Sequence, residues 1–219
     1  EQQLLIAANI AAEKGWMDRP IFVFGSIDYL NDVEMRFPLA YQGTIERVAS
    51  QQNIAPSLLF AIARRESSFM ADAYSSAGAA GIMQIKPSTA SYVANRNITK
   101  LELFEPQLNI SLAGQYLKKL KRMTNQHPAL LAASYNAGYS KVQEWLPQSS
   151  MATDVWIELI PYHETRDYVK AVIAYQKVYE SLLKGSDHQG AVAQNNGVDA
   201  NLSVNALGNI TNIQVQPEI

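Results

Sequence analysis

The stretch that most constrains this chain is Pro56-Ser-Leu-Leu-Phe-Ala-Ile-Ala-Arg-Arg-Glu-Ser-Ser-Phe69. Proline suits the first turn of a helix, because its fixed φ is helical and its missing N–H would have no partner there. From that start Leu59, Ile62, Glu66 and Phe69 recur at helical spacing and share one face, which predicts a helix running to Phe69. A carboxylate therefore stands where the period calls for an apolar core residue. Burial disfavours the charged form of a carboxyl group, so an acid at the inner end of such a stripe is expected to hold a proton it can donate. Glu66 reads as a general acid. An ion pair with Arg64 or Arg65 would explain it as well by composition. Neither arginine is three or four residues away, however, and both fall on other faces of the helix.

With 219 residues, 47% of them hydrophobic and 17% charged, the chain can bury a sizeable core and should fold as one good-sized domain with extensions. A formal charge of −2, with no basic cluster interleaved with aromatics, argues against a nucleic-acid partner. The absence of cysteine excludes disulfides and thiolate metal sites, which suits either cytoplasm or periplasm. No EF-hand spacing or histidine cluster is present, so no bound metal ion is expected. No stretch reaches the roughly 20 apolar residues of a membrane span. A start at Glu1, without Met or signal peptide, suggests a mature product or an excised fragment.

In chain order, Leu4 to Lys14 is predicted as an Ala-rich helix with Leu4, Ala8 and Ala11 on one face, stopped at Gly15. Ile21-Phe-Val-Phe24 is either a strand or part of a helix, ended by Gly25. A helical pattern at Ile45, Val48 and Ala49 comes after a domain boundary near Arg36–Tyr41. The segment Ser75-Ser-Ala-Gly-Ala-Ala-Gly-Ile-Met-Gln-Ile85 has no helical period and reads as a tight turn with a short extended piece. Pro87 opens a helix to about Val93, and Pro106 opens a longer one with Leu112, Tyr116, Leu120 and Met123 inward. Pro128 to Ala137 is a helix closed by Gly138, placing Tyr135 and Asn136 at its end. Asp154–Ile160 and Thr165 to about Leu183 complete the helices, the last with Val169, Val172, Tyr179 and Leu183 buried. Beyond Gly185 charges nearly vanish and no period survives, which predicts a flexible tail over residues 185–219.

Five of these segments, in order, resemble the soluble lytic transglycosylases. The motifs are Ala63-Arg-Arg-Glu66-Ser-Ser-Phe69, Gly78-Ala-Ala-Gly-Ile-Met-Gln-Ile-Lys-Pro87 and Ala133-Ser-Tyr-Asn-Ala-Gly138. They are flanked by Arg36-Phe-Pro-Leu-Ala-Tyr41 and Ile160-Pro-Tyr-His-Glu-Thr-Arg-Asp-Tyr-Val169, which look like the borders of the catalytic domain in the family's large periplasmic subfamily.

The resemblance implies an α+β, predominantly helical, lysozyme-like (goose-type-like) catalytic domain with a small β element over residues 38–184. Residues 1–37 would be a helical linker-domain remnant. It further implies cleavage of the β-1,4 bond between N-acetylmuramic acid and N-acetylglucosamine of peptidoglycan without water, leaving a 1,6-anhydromuramoyl end, with no cofactor. Glu66 would be the catalytic acid and base. Ser75, Met83 and Gln84 would line the substrate cleft, Tyr135 and Asn136 would orient the acid and the N-acetyl group, and Glu164 would bind substrate. Localisation in the periplasm would follow from where that substrate lies. Hydrolysis by two carboxylates would need a partner for Glu66, about 5 Å away or farther. Asp72 and Glu164 are the candidates, and neither stands in a motif that marks a nucleophile. Two alternatives remain open on the residues: a goose-type muramidase, and a non-catalytic module that binds cell-wall glycan.

Overall fold

The computed structural model describes residues 2–26 and 33–192, and the predicted tail lies, beyond residue 192, outside the described residues. The chain divides into two compact units, residues 1–118 and 119–219.

The first unit begins with α1 (Gln2–Glu13), α2 (Asp18–Ser26) and α3 (Val33–Arg36), each packed on the next. Gly15 turns the chain after α1 with φ +80, the left-handed conformation expected of a helix-closing glycine. Ala8 and Ala11 are buried as their spacing predicts, but Leu4 on the same stripe is 45% exposed. The ambiguous run at Ile21–Phe24 is helical, and α2 carries on through Gly25 to Ser26. Ile21 and Phe24, three residues apart, point inward together, which a strand with its two-residue alternation could not arrange.

In the helix α4 (Gln42–Gln52), Ile45, Val48 and Ala49 are all buried, and the helix packs on α5 (Pro56–Glu66). The helix α5 buries Leu59, Phe60, Ala61, Ile62 and Ala63, then ends at Glu66 and not at Phe69. Ser68 and Phe69 adopt φ +55 and +68, so the chain leaves the helix through two successive left-handed residues. Phe69 still reaches the core, 3% exposed and edge-on to Phe60 with ring centroids 6.3 Å apart. It arrives by that turn, not by helical period.

Helix α6 (Pro87–Ala94), a single 3-10 turn (Glu102–Phe104) and the first part of α7 (Pro106–Met123) complete the unit. Ala80, Ile85, Ala90, Ile98, Leu103 and Leu112 form one buried cluster, so the turn segment is rooted in the same core as the helices. Expected β structure reduces, among the described residues, to two isolated antiparallel bridges, Tyr74 with Ala80 and Ala80 with Ile85. The reversals around Gly78 (φ +84), Gly81 (φ +76) and Gln84 (φ +46) lie too close together for a ladder to lengthen.

In the second unit α8 (Pro128–Ala137) packs on α9 (Tyr139–Glu144) and on α11 (His163–Val192), which also receives α10 (Thr153–Leu159). His127 caps α8: its Nδ1 accepts from Leu130 N–H, and its Nε2 lies 3.2 Å from Thr153 Oγ1. Gly138 (φ +90) closes α8 as predicted. Val169, Val172 and Tyr179 are buried along α11, whereas Leu183 is half-buried and the helix runs past Gly185 to Val192. Met123, expected inward on α7, is 48% exposed.

In the first unit α4 and α7 approach so closely that a Cβ on Gly114 would lie 2.5 Å from Val48 Cγ1. Gly114→Ala should therefore destabilise the protein by about 1–3 kcal/mol in urea unfolding, despite alanine's better helix propensity. Adding Val48→Ala to that variant should recover part of the loss, whereas a purely helical effect would have the opposite sign from the start.

Candidate active site

Glu66 is the last residue of α5 and is half-buried. The residues on either side of it fix its position. Ser67, 8% exposed, donates its hydroxyl to Ile82 O at 2.8 Å, so the residue after the acid is tied directly to the Gly81–Ile85 turn. Arg64, one turn before the left-handed pair, donates Nε to Arg36 O at 2.9 Å and Nη1 to Ser68 Oγ at 3.1 Å. Its guanidinium also lies 5.5 Å from the centre of the Phe37 ring. That links the Arg36–Tyr41 motif to the backbone just past Glu66. Left-handed non-glycine residues cost about 1–3 kcal/mol each and persist where surroundings over-determine them. The hydroxyls and guanidinium at Ser67, Ser68 and Arg64 do so here.

The turn segment is held from its other side by Asn109, which is fully buried on α7. Its Oδ1 accepts from Met83 N–H at 2.8 Å, and its Nδ2 donates to Ala80 O and Leu103 O, both at 2.9 Å. One amide thereby satisfies three backbone groups that have no ladder partner. Gly81 is required where these strands of chain meet: a Cβ there would lie 2.2 Å from Leu103 O and 2.4 Å from Asn109 Nδ2.

Within this frame, Gln84 Nε2 donates to Ala73 O at 3.0 Å and to its own turn at Gly81 O at 2.8 Å. Two carbonyl partners settle which end of the amide is nitrogen, so Oε1 is presented as an acceptor away from them. Ser75 Oγ accepts from Ala79 N–H at 3.0 Å and closes the turn around Gly78, leaving its hydroxyl hydrogen to donate. Met83 is fully buried in the core. Asp72 is exposed; its charge, after burial and the charge of Asp18, helps hold the Tyr41 hydroxyl above its usual range.

The remaining candidates lie in the second unit. Tyr135 and Asn136 are half-buried in the last turn of α8. Asn136 Oδ1 accepts from Thr165 Oγ1 at 2.6 Å, and Thr165 is 2% exposed in the first turn of α11. Glu164, its neighbour, is exposed. Arg166 donates Nη2 to Ile160 O at 2.8 Å, which braces the loop before α11. Among the described residues no group of three or more His, Cys, Asp or Glu is placed to hold a metal ion. Nor is any helix there long and apolar enough to cross a membrane.

Residues 43–155 match the family model described as the transglycosylase SLT domain, and residues 159–187 match that of the soluble lytic transglycosylase helical domain. The chain belongs to the transglycosylase SLT family. The soluble lytic murein transglycosylase of Salmonella typhimurium is 33% identical over 196 residues, a match covering 83% of this chain and 30% of the relative. Among solved structures, an inactive Glu-to-Gln mutant of the lytic transglycosylase Slt from Pseudomonas aeruginosa superposes with TM-score 0.78 at 36% identity. That match covers 83% of this chain and 30% of the other. The 70 kDa soluble lytic transglycosylase of Escherichia coli gives TM-score 0.76 at 32% identity, over 80% of this chain and 30% of its own. The chain thus spans about 30% of the length of these relatives.

Asn109 stands in none of the motifs and Thr165 stands in the last of them with no role assigned, yet both carry a readable signal. Asn109 sits on the stripe of Leu112, Tyr116 and Leu120, and Thr165 on that of Tyr168, Val169 and Val172. A polar residue on a core stripe, the same anomaly that marks Glu66, marks them too. Asn109→Ala strands three buried backbone groups, so it should lower unfolding free energy by about 3 kcal/mol or more. Thermal or denaturant melts against the parent would measure it, and an unchanged midpoint would mean the amide is dispensable.

Proposed function

We propose that this chain carries the catalytic part of a peptidoglycan lytic transglycosylase, with residues 38–184 as the catalytic domain and residues 1–37 as a linker-domain remnant. The match of residues 43–155 to the SLT domain, with Glu66 at the end of its helix inside that match, is the observation that carries the reading. Support also comes from the Pseudomonas aeruginosa relative, inactive as a Glu-to-Gln mutant.

In this reading Glu66 protonates the glycosidic oxygen as the C1–O4 bond between N-acetylmuramic acid and N-acetylglucosamine breaks. The carboxylate so formed then takes the proton of the muramoyl C6 hydroxyl as O6 closes on C1, which returns Glu66 to its acid form. No water enters the products. The substrate's N-acetyl carbonyl stabilises C1 between the two steps, replacing the second carboxylate that hydrolysis would require. Neither of the two other carboxylates, Asp72 and Glu164, stands in a motif that marks a nucleophile, which favours a single-acid mechanism; Glu164 is assigned to substrate binding. Ser75 and Gln84 offer a hydroxyl donor and a fixed amide acceptor to sugar groups, and Tyr135 and Asn136 are assigned to substrate binding, with Asn136 at the acetamido group. The substrate places the enzyme in the periplasm.

Purified sacculi digested with the protein should release muropeptides whose mass spectra carry 1,6-anhydromuramoyl ends. Glu66→Gln should lower the rate by about 100-fold or more, the scale of lost general acid catalysis, while melting close to the parent. Products with reducing muramic acid ends would assign a hydrolase instead, and binding to sacculi with no release would assign a glycan-binding module.

A further inference from the structure

The hydroxyl of Thr165 meets Asn136 Oδ1 at 2.6 Å. That distance is informative about direction. Hydroxyl-to-carbonyl hydrogen bonds centre near 2.7–2.8 Å, whereas amide N–H donors rarely approach below about 2.7 Å. The partner atom is therefore the amide oxygen, with Thr165 donating. Thr165 is 2% exposed and occupies the first turn of α11, the helix packed on α8, so its hydroxyl is held in place by the core. Water has little access to compete for the bond. Once Oδ1 is occupied in this way, the amide of Asn136 cannot turn over without breaking the bond, and both N–H donors on Nδ2 face away from Thr165.

We infer that Thr165 is a positioning residue that sets Asn136 as a hydrogen-bond donor toward substrate, and so selects ligands presenting a carbonyl or carboxylate oxygen there. This rests on the reading above that Asn136 contacts the acetamido group. The chemistry is specific. With the amide reversed, Oδ1 would oppose the acetyl carbonyl oxygen, and two acceptors would face each other with no proton between them. Thr165 itself touches no reacting atom; it acts through Asn136. Its hydroxyl is needed and its methyl is not, because only the hydroxyl distinguishes the two ends of the amide.

A double-mutant cycle in the full chain tests this, using release of anhydro-ended products from a defined N-acetylglucosamine–N-acetylmuramic acid oligomer. Thr165→Val, which keeps the side-chain shape, should lower kcat/KM about tenfold, one hydrogen bond's worth of orientation. Thr165→Ser should stay within about twofold of the parent, since it keeps the donor. In an Asn136→Ala background, Thr165→Val should cost less than about twofold further, because no amide remains to orient. Thr165→Val with parental activity, beside an impaired Asn136→Ala, would overturn the inference while leaving the role of Asn136 standing. The same would hold if Thr165→Val cost its full factor in both backgrounds, since its effect would then bypass Asn136. Parental activity in Asn136→Ala would instead refute the substrate role of Asn136 and the inference with it. A structural role alone would show as a lowered melting temperature shared by the serine and valine variants, with no coupling in the cycle.

Discussion

One buried amide governs the shape of the first unit's candidate site. The segment from Ala73 to Ile85 reverses direction within a few residues and has neither helix nor ladder; turn bonds such as Ser75 N–H to Ala79 O and Gly81 N–H to Ala73 O satisfy part of its backbone, and the groups left over need partners from elsewhere. Asn109 reaches it from a fully buried position on α7, bonding Met83 N–H and Ala80 O and tying both to Leu103 O. Gly81 is the counterpart of that arrangement, because the space a Cβ would need is taken by the amide and by Leu103 O. Gln84, Ser75 and the Ser67 contact to Ile82 O all take their positions from the frame so made.

Irregular backbone gathers around the acid. Left-handed residues at Ser68 and Phe69 come just after Glu66, and a third at Gln84 lies in the turn that Ser67 grips. Each conformation is unfavourable in isolation and is compensated by a specific contact: Arg64 to Ser68, Phe69 against Phe60, Gln84 to two carbonyls. Strain so compensated marks positions where function and packing compete. Here it ends a helix at a carboxylate, so that Glu66 stands at an element terminus and not inside a packed stripe. In the second unit, the buried hydroxyl of Thr165 donates to the side-chain amide of Asn136, where Asn109 in the first unit bonds backbone groups.

Much of the fold was legible because the helices announce themselves. Pro56, Pro87, Pro106 and Pro128 each open a helix where proline at the first turn predicts one, and Gly15 and Gly138 close α1 and α8 with positive φ. The buried faces of α4 and α11 follow the period of their apolar residues, with Leu183 only half-buried. The misreadings share a cause. Phe69 obeys the 3.6-residue period by coincidence, since a left-handed turn also brings it inward, and Leu4 and Met123 obey it while lying exposed. Periodicity states which face a residue would share, but whether a neighbour covers that face is a property of the packed chain.

Local sequence determined the helices, their caps, the glycine-dependent turns and the candidacy of Glu66, because each depends on residues within a turn or two along the chain. Tertiary structure alone decided that Ser67 would reach Ile82, that Asn109 would hold Met83, Ala80 and Leu103, and that Thr165 would meet Asn136. Those pairs are 15, 26, 29, 6 and 29 residues apart. A hydrogen bond forms only at about 3 Å, and for partners so separated that distance is set by how the helices pack and not by any local preference of the chain.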